Sequence, residues 1–297
     1  MNHIPVLRDE SIDGLTIHSG DIIVDGTLGG GGHTFEIIRR FGSGVKIIGL
    51  DLDSDAIERA KLKIGELPHD TVFRIIGFQD MDTMLDELNM PHVDRILLDL
   101  GLSSFQLDIA HRGFSFTKDE PLLMTMKKNP TDDDLTARYI VNTWEEKTLA
   151  DIIYGFGEEK YSRKIAHAIA LARKENAIET TFDLVKIIEG SVGRSYRALK
   201  IHPATRTFQA LRIATNSELM NLEKVIEQGF NRLSIGGRMA IITFHSLEDR
   251  IVKKSFVALK EKGYANIITK KPIIPTREEI ITNPRARSAK LRIIEKI

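Results

Sequence analysis

Asp25-Gly26-Thr27-Leu28-Gly29-Gly30-Gly31-Gly32-His33 follows the short apolar run Ile22-Ile23-Val24. Four consecutive glycines after a strand-like run cost backbone entropy on folding. The usual compensation is a tight strand-to-helix turn whose bare backbone lets a ligand approach the helix N-terminus. The dinucleotide fingerprint G-x-G-x-x-G is missing, since neither Gly29 nor Gly31 starts a complete match. The spacing D-x-x-x-G-x-G is met by Asp25, Gly29 and Gly31. A glycine-rich turn without a ligand is the plainer alternative.

Working outward, two more apolar runs, Lys46–Leu50 and Arg95–Leu98, have the same character as Ile22–Val24. Each of the three ends in an acid, namely Asp25, Asp51 and Asp99. Helical segments at Thr34–Phe41 and Ser54–Lys63 follow the first two. Buried strands alternating with helices predict a doubly wound α/β sheet. Ligands in such sheets sit beyond the carboxyl ends of the strands, where these acids fall. Asp53 reads instead as a helix cap, ahead of Ala56-Ile57-Glu58-Arg59-Ala60.

The 297 residues suffice for one large or two modest domains. Lys+Arg and Asp+Glu number 42 each, so net charge names no partner and any polyanion must meet locally clustered charge. The absence of cysteine excludes disulfides, thiolate nucleophiles and cysteine-ligated zinc. Met1–Pro5 begins no secretory signal and no apolar run approaches membrane-spanning length, so a cytoplasmic protein without a membrane partner is expected.

From Phe105 to Lys200 strand-like runs vanish and short helical segments take over. Thr143-Trp144-Glu145-Glu146 and Thr180-Thr181-Phe182-Asp183 both fit a capping box. The expected organisation is a sheet domain from 1–104 and 201–297, with 105–200 as a helical insert. A long helical pattern runs from about Ala204 to Leu233, with Phe208, Leu211, Leu219, Leu222, Ile226 and Leu233 as its apolar stripe. Met239–Phe244 reads as a buried strand, Ser246-Leu247-Glu248-Asp249 as a helix cap, and Leu291–Glu295 as the last strand.

Asp51 stands 20 residues beyond Gly31, the distance at which a carboxylate meets the ribose of a nucleoside held at a glycine turn. The turn and acid do not by themselves choose between nucleoside cofactors. D-x-x-x-G-x-G is the looser first motif of adenosylmethionine-dependent methyltransferases, and Asp99-Leu100-Gly101-Leu102-Ser103-Ser104 adds an acid at the position such amine-methylating enzymes use. An exocyclic amine conjugated to a ring is a poor nucleophile. Acceptors must orient its hydrogens and leave its lone pair facing the methyl donor. Position 105 is Phe105, so Gly101-Leu102-Ser103-Ser104 is no G-x-S-x-G nucleophile turn. The histidines show no H-E-x-x-H spacing, and no catalytic metal is expected.

Charge clusters locally. Arg194, Arg197, Lys200, Arg206 and Arg212 occur without an intervening acid, and Arg285, Arg287, Lys290 and Arg292 form a second group. Clustered arginines suit phosphate contacts, although a charge run is also how a solvated face looks. Thr205, Gln209, Arg212 and Asn216 share one helix face, as a substrate wall or plain solvent exposure would require.

Three later blocks sharpen this. His202-Pro203-Ala204-Thr205-Arg206-Thr207-Phe208-Gln209-Ala210-Leu211-Arg212, Phe244-His245-Ser246-Leu247-Glu248-Asp249-Arg250 and Asn283-Pro284-Arg285-Ala286-Arg287-Ser288 resemble the hallmark blocks of one family. It is the bacterial 16S ribosomal-RNA cytosine-N4 methyltransferases (the RsmH, or MraW, family). Asp25–His33, Asp99–Asp108 and Arg112-Gly113-Phe114-Ser115-Phe116 match it in the same order, across essentially the whole chain. The resemblance implies a Rossmann-like class I methyltransferase sheet with an inserted helical domain for substrate recognition. It implies S-adenosyl-L-methionine as cofactor and a decoding-region cytidine of 16S ribosomal RNA, within the small ribosomal subunit, as substrate.

By the same resemblance Gly31, Gly32, His33, Asp51, Phe78, Asp99 and Gln106 are cofactor-binding. Asp99, Ser103 and Ser104 line the reacting centre, whether Asp99 meets cofactor, amine or both. Thr205, Arg206, Gln209, Arg212, His245, Arg285 and Arg287 are assigned to the RNA, while a lone histidine such as His245 is more often structural. Two departures stand out. The family's P-L-D-M-R-M-D reads here Pro121-Leu122-Leu123-Met124-Thr125-Met126-Lys127, and its proline after Ser-Ser is Phe105. A methyltransferase for protein or small molecules and a non-catalytic ribosome-assembly factor are the competing readings.

Overall fold

The apolar runs that flank the glycine turn become the centre of a seven-stranded sheet. In the computed structural model, which describes residues 5–102, 104–193, 196 and 201–297, Ser104 and Asp108 are described by backbone alone. The strands are β1 (Ile22–Asp25), β2 (Lys46–Asp51), β3 (Asp70–Ile75), β4 (Val93–Asp99), β5 (Leu233–Thr243), β6 (Ala265–Ile267) and β7 (Lys290–Lys296). Their order is β3-β2-β1-β4-β5-β7-β6. β1 to β5 pair in parallel, and β7 runs antiparallel to both β5 and β6. This is the Rossmann-like class I methyltransferase sheet that the resemblance implies.

Strand periodicity explains why the runs are apolar throughout. Val24, Ile48, Ile96 and Ile241 point into one core with Met81 and Phe256. Their neighbours Ile23, Ile47, Leu97 and Ile242 point into a second core with Leu7 and Ile37. Parallel strands covered on both faces read as continuous apolar runs rather than alternating ones. β3 escapes that signal: it is an edge strand of partly buried and exposed residues, Asp70-Thr71-Val72-Phe73-Arg74-Ile75. β6 is three residues long and leaves no pattern to read.

The chain's contacts divide it into two units, Met1–Gly101 with Leu219–Ile297, and Leu102–Glu218. The second unit thus takes in 201–218, which the sequence pattern placed with the sheet. The reason is the break in the long helical pattern at Ser217, whose φ of 50° ends the helix Thr205–Asn216 before Glu218–Arg232 begins. Phe208 and Leu211 pack in the second unit's core, with Ile140, Leu149, Ile165 and Leu184. Leu222 and Ile226 pack beneath the sheet instead. One apolar stripe therefore serves two cores.

The helix signals divide similarly. Thr180 and Asp183 form the expected capping box ahead of Thr181–Ser191. Asp53 caps Ser54–Ile64, its carboxylate accepting from the Asp55 N–H. Thr143, however, ends the helix Ala137–Thr143, and the next helix, Glu146–Gly155, starts after Glu145 without a side-chain cap. Among the described residues no helix is long and apolar enough to cross a membrane.

Candidate active site

β1 and β4 lie side by side where the strand order reverses, and such a switch point opens a crevice beyond the carboxyl ends of the strands. Asp25, Asp51 and Asp99 are the terminal residues of β1, β2 and β4. All three acids belong to the sheet unit.

The glycine turn is held at both ends. The Gly26 N–H donates to the Leu97 carbonyl at 2.9 Å, and the Leu28 N–H to the Leu50 carbonyl at 2.9 Å. Gly29 and Gly31 have φ of 54° and 71°, which only glycine adopts at little cost. The glycines differ in purpose. A Cβ on Gly31 would stand 2.8 Å from the Ala60 Cβ, and one on Gly32 would stand 2.4 Å from the Pro5 Cγ. Those two are required by packing at the start of the helix Gly32–Phe41. Gly30 is exposed, with open space where its Cβ would be. His33 is buried in the first turn of the same helix.

Asp51 ties turn and strand together. Its Oδ2 accepts from the Gly29 N–H and its Oδ1 from the Asp53 N–H, both at 2.8 Å. Burial pushes the carboxyl up to about 6, against those two backbone donors. Asp25 is likewise raised to about 6 by burial, with the Thr34 hydroxyl at 2.7 Å and the Thr27 N–H opposing the shift. Phe78 opens the short turn Phe78–Asp80. Its Cβ is 3.3 Å from where a Cβ on Gly26 would stand, which places the ring's stem against the glycine turn.

Asp99 is the most strongly shifted of the three acids. Its N–H donates to the Thr27 hydroxyl at 2.5 Å, but its buried Oδ1 has no hydrogen-bond partner among the described residues. Burial, then the charges of Asp25 and Glu248, push it up to about 8. Glu248 was not assigned a role from sequence. Its Oε2 accepts from the Phe244 and His245 N–H groups at 2.8 and 3.3 Å, while His245 Nδ1 accepts from the Glu248 N–H at 3.4 Å. His245 is thus the N-cap of the helix Ser246–Glu261, one residue before the expected cap. The spacing of a side-chain acceptor three residues before a glutamate was the available signal.

A cationic nucleoside fits these residues. The edge gathers several carboxyl groups, a buried acceptor at Asp99 Oδ1 that has no partner among the described residues, and an open glycine at position 30. A positive charge there would relieve the mutual repulsion that raises Asp99.

In the helical unit the assigned residues are mostly engaged internally. Arg212 donates twice to the Glu218 carboxylate, both bonds 2.8 Å. Gln209 Nε2 donates to the Phe156 carbonyl at 3.0 Å, and Arg206 Nη1 to the Glu158 carbonyl at 3.1 Å. Asn216 clamps the divergent segment, accepting from the Met126 N–H and donating to the Met124 carbonyl. Lys127 in that segment pairs with Asp134. Thr205 starts its helix, and Gln106 is buried in Ser104–Asp108. Ser103, Arg194, Arg197 and Lys200 fall outside the described residues, as does the Ser104 side chain. In the sheet unit Arg285 and Arg287 are exposed on the short turn Pro284–Ser288. Lys290 and Arg292 are instead paired with Asp249, at 2.9 and 2.6 Å.

Comparison with known proteins adds the family. The profile of the MraW methylase family matches residues 1–297. A Clostridium botulinum (strain Kyoto / Type A2) protein named ribosomal RNA small subunit methyltransferase H is 46% identical over 310 residues, covering 99% of this chain and 99% of its own. A protein of the same name from Lachnospira eligens is 43% identical over 310 residues, covering 99% of this chain and 98% of its own. Among solved structures, an rRNA methylase from Streptococcus thermophilus covers 100% of this chain and 99% of its own, at 13% identity and a TM-score of 0.47.

Proposed function

The chain belongs to the MraW methylase family, and from that membership we propose that it methylates N4 of a cytidine in the decoding region of 16S ribosomal RNA, using adenosylmethionine. The observation that carries the reading is the Asp99 carboxyl, buried at the end of β4 beside the glycine turn, whose Oδ1 has no hydrogen-bond partner among the described residues.

Bound adenosylmethionine supplies an electrophilic methyl group on a cationic sulfur. Asp51, already fixed by the Gly29 and Asp53 N–H groups, keeps lone pairs for the ribose hydroxyls. Phe78 offers an apolar face to the adenine, with Gly31, Gly32 and His33 completing the cofactor contacts of the sheet unit. Asp99 Oδ1 accepts an N–H of the target amine and turns the nitrogen lone pair toward the methyl. As the methyl would pass from sulfur to N4, its bond to sulfur breaking, the nitrogen would shed a proton, and the Asp99 carboxylate, kept basic by its burial, could take it. No covalent intermediate with the protein and no metal would be needed.

The base must leave its stack to reach this pocket. The helical insert serves in recognition, with the small ribosomal subunit as the assembled partner and the cytoplasm as the place of action. Arg285 and Arg287 are exposed and suited to phosphates. Given what holds Arg206, Gln209 and Arg212, those side chains position the insert's own backbone and carboxylates rather than standing ready in solvent.

The test is transfer from methyl-labelled adenosylmethionine to purified small subunits and to naked 16S RNA, followed by nucleoside mass spectrometry. N4-methylcytidine formed by the native protein and lost in Asp99→Ala is the expected result. Label appearing in protein, or in no cytidine, would defeat the reading.

A further inference from the structure

The helix Ser246–Glu261 leaves the active-site edge at His245 and carries Arg250, Lys253 and Lys254 on one face. The spacing of three and four residues puts them side by side. With Val257, Ala258 and Glu261 they line a shallow groove of about 330 Å³. All three cations are exposed. Lys253 and Lys254 have no hydrogen bond or ion pair among the described residues. The acid preceding them, Asp249, is already neutralised by Lys290 and Arg292.

The contrast with the expected basic clusters matters. Arg212, Lys290 and Arg292 all spend their charge on internal carboxylates. A chain with 42 cations and 42 acids attracts a polyanion only where unpaired cations gather. Lys253 and Lys254 are such a place. They stand eight and nine residues beyond the N-cap, about 12 to 14 Å along the helix axis. β5, which leads into that cap, pairs with β4 so that Ile242 lies opposite Asp99. The helix that carries the strip therefore starts at the sheet edge where Asp99 lies and runs away from it.

We propose that the Arg250–Lys253–Lys254 face of this helix binds the phosphates of the RNA strand flanking the target cytidine, an inference that rests on the RNA-methylating reading. The cations on the rim take the phosphates, and the Val257–Ala258 floor takes the less polar edge of the sugars. Such contacts position the strand without reading its sequence.

The test compares the native protein with a Lys253→Gln/Lys254→Gln double variant in binding to a decoding-region RNA over a range of salt concentrations. Two lost phosphate contacts lower the slope of log affinity against log salt by about 1.4 for a single strand. KM for RNA is expected to rise on the order of tenfold, while adenosylmethionine affinity by calorimetry stays native. A Lys61→Gln/Lys63→Gln variant makes the same charge change at the far end of the helix Ser54–Ile64. An unchanged slope for the first variant, or an equal drop in both, would overturn the proposal while leaving native RNA methylation intact. Failure of the native protein to methylate RNA would instead defeat the reading beneath it. An unchanged slope together with tight binding of an acidic peptide that the double variant loses would assign the face to a protein and also overturn the proposal.

Discussion

The Gly29 N–H donates to Asp51 Oδ2 at 2.8 Å, joining the turn after β1 to the last residue of β2. One carboxylate thereby fixes the shape of the glycine loop and presents its remaining lone pairs over it. Asp51→Ala removes the acceptor for two backbone N–H groups, Gly29 and Asp53. Bonds to a charged acceptor contribute about 1.5–3 kcal/mol each. We expect a lower melting temperature and at least a roughly tenfold loss of adenosylmethionine affinity by calorimetry. Native affinity in the variant would remove Asp51 from the cofactor site.

Asp99 sets a pH dependence whose sign is definite. Its folded value, about 8, lies above the ordinary 3.8, so the folded state holds the proton longer than the unfolded chain. Stability is lost as pH rises from the unfolded value through the folded one. Asp99→Asn, which has nothing to ionise, should match the native protein near pH 4 and melt at higher temperature than it above pH 8, without cofactor. Parallel melting curves across that range would mean Asp99 titrates normally.

Cofactor binding should show the opposite trend. A sulfonium cation favours the Asp99 carboxylate, so adenosylmethionine affinity should climb with pH toward 8, with proton release detectable in buffers of different ionisation enthalpy. The demethylated product, lacking that positive charge, should bind with a shallower pH dependence. Equal slopes for the two would separate the charge from Asp99.

Glu248→Gln isolates one contributor. The amide oxygen can still accept from the Phe244 and His245 N–H groups, while the charge that helps raise Asp99 is gone. The midpoint of the stability and binding profiles should move to lower pH. An unmoved midpoint would show that burial and the Asp25 charge set Asp99 without Glu248.

Gly26→Ala tests the packing of the turn. Its new Cβ would stand 2.5 Å from Leu98 Cδ2 and 3.3 Å from Phe78 Cβ. Overpacking of this kind costs about 1–3 kcal/mol. Chemical denaturation should show that loss, with weakened adenosylmethionine binding because Phe78 is displaced. Native stability would mean the turn relaxes freely.

What the sequence disclosed follows from burial. β1, β2 and β4 were legible because strands covered on both faces carry uninterrupted apolar residues, and their acids stand at the ends where the sheet opens. β3 was not, since an edge strand such as Asp70–Ile75 needs no such run. The break at Ser217 was hidden because serine carries no strong signal for a left-handed residue, and the apolar stripe continues through it into another core. The basic clusters divide for a related reason. Spacing shows where arginines are, but not that Glu218 and Asp249 have taken Arg212 and Arg292. Conversely, Lys253 and Lys254 look ordinary in sequence and stand out only once their neighbours are accounted for.

The most direct measurement is mass spectrometry of 16S ribosomal RNA from cells with and without this protein, and from cells carrying Asp99→Ala. One N4-methylcytidine in the decoding region, present in the first and missing from the other two, is the expected result. An unchanged modification profile in all three would contradict the assignment of this chain as the enzyme that places it.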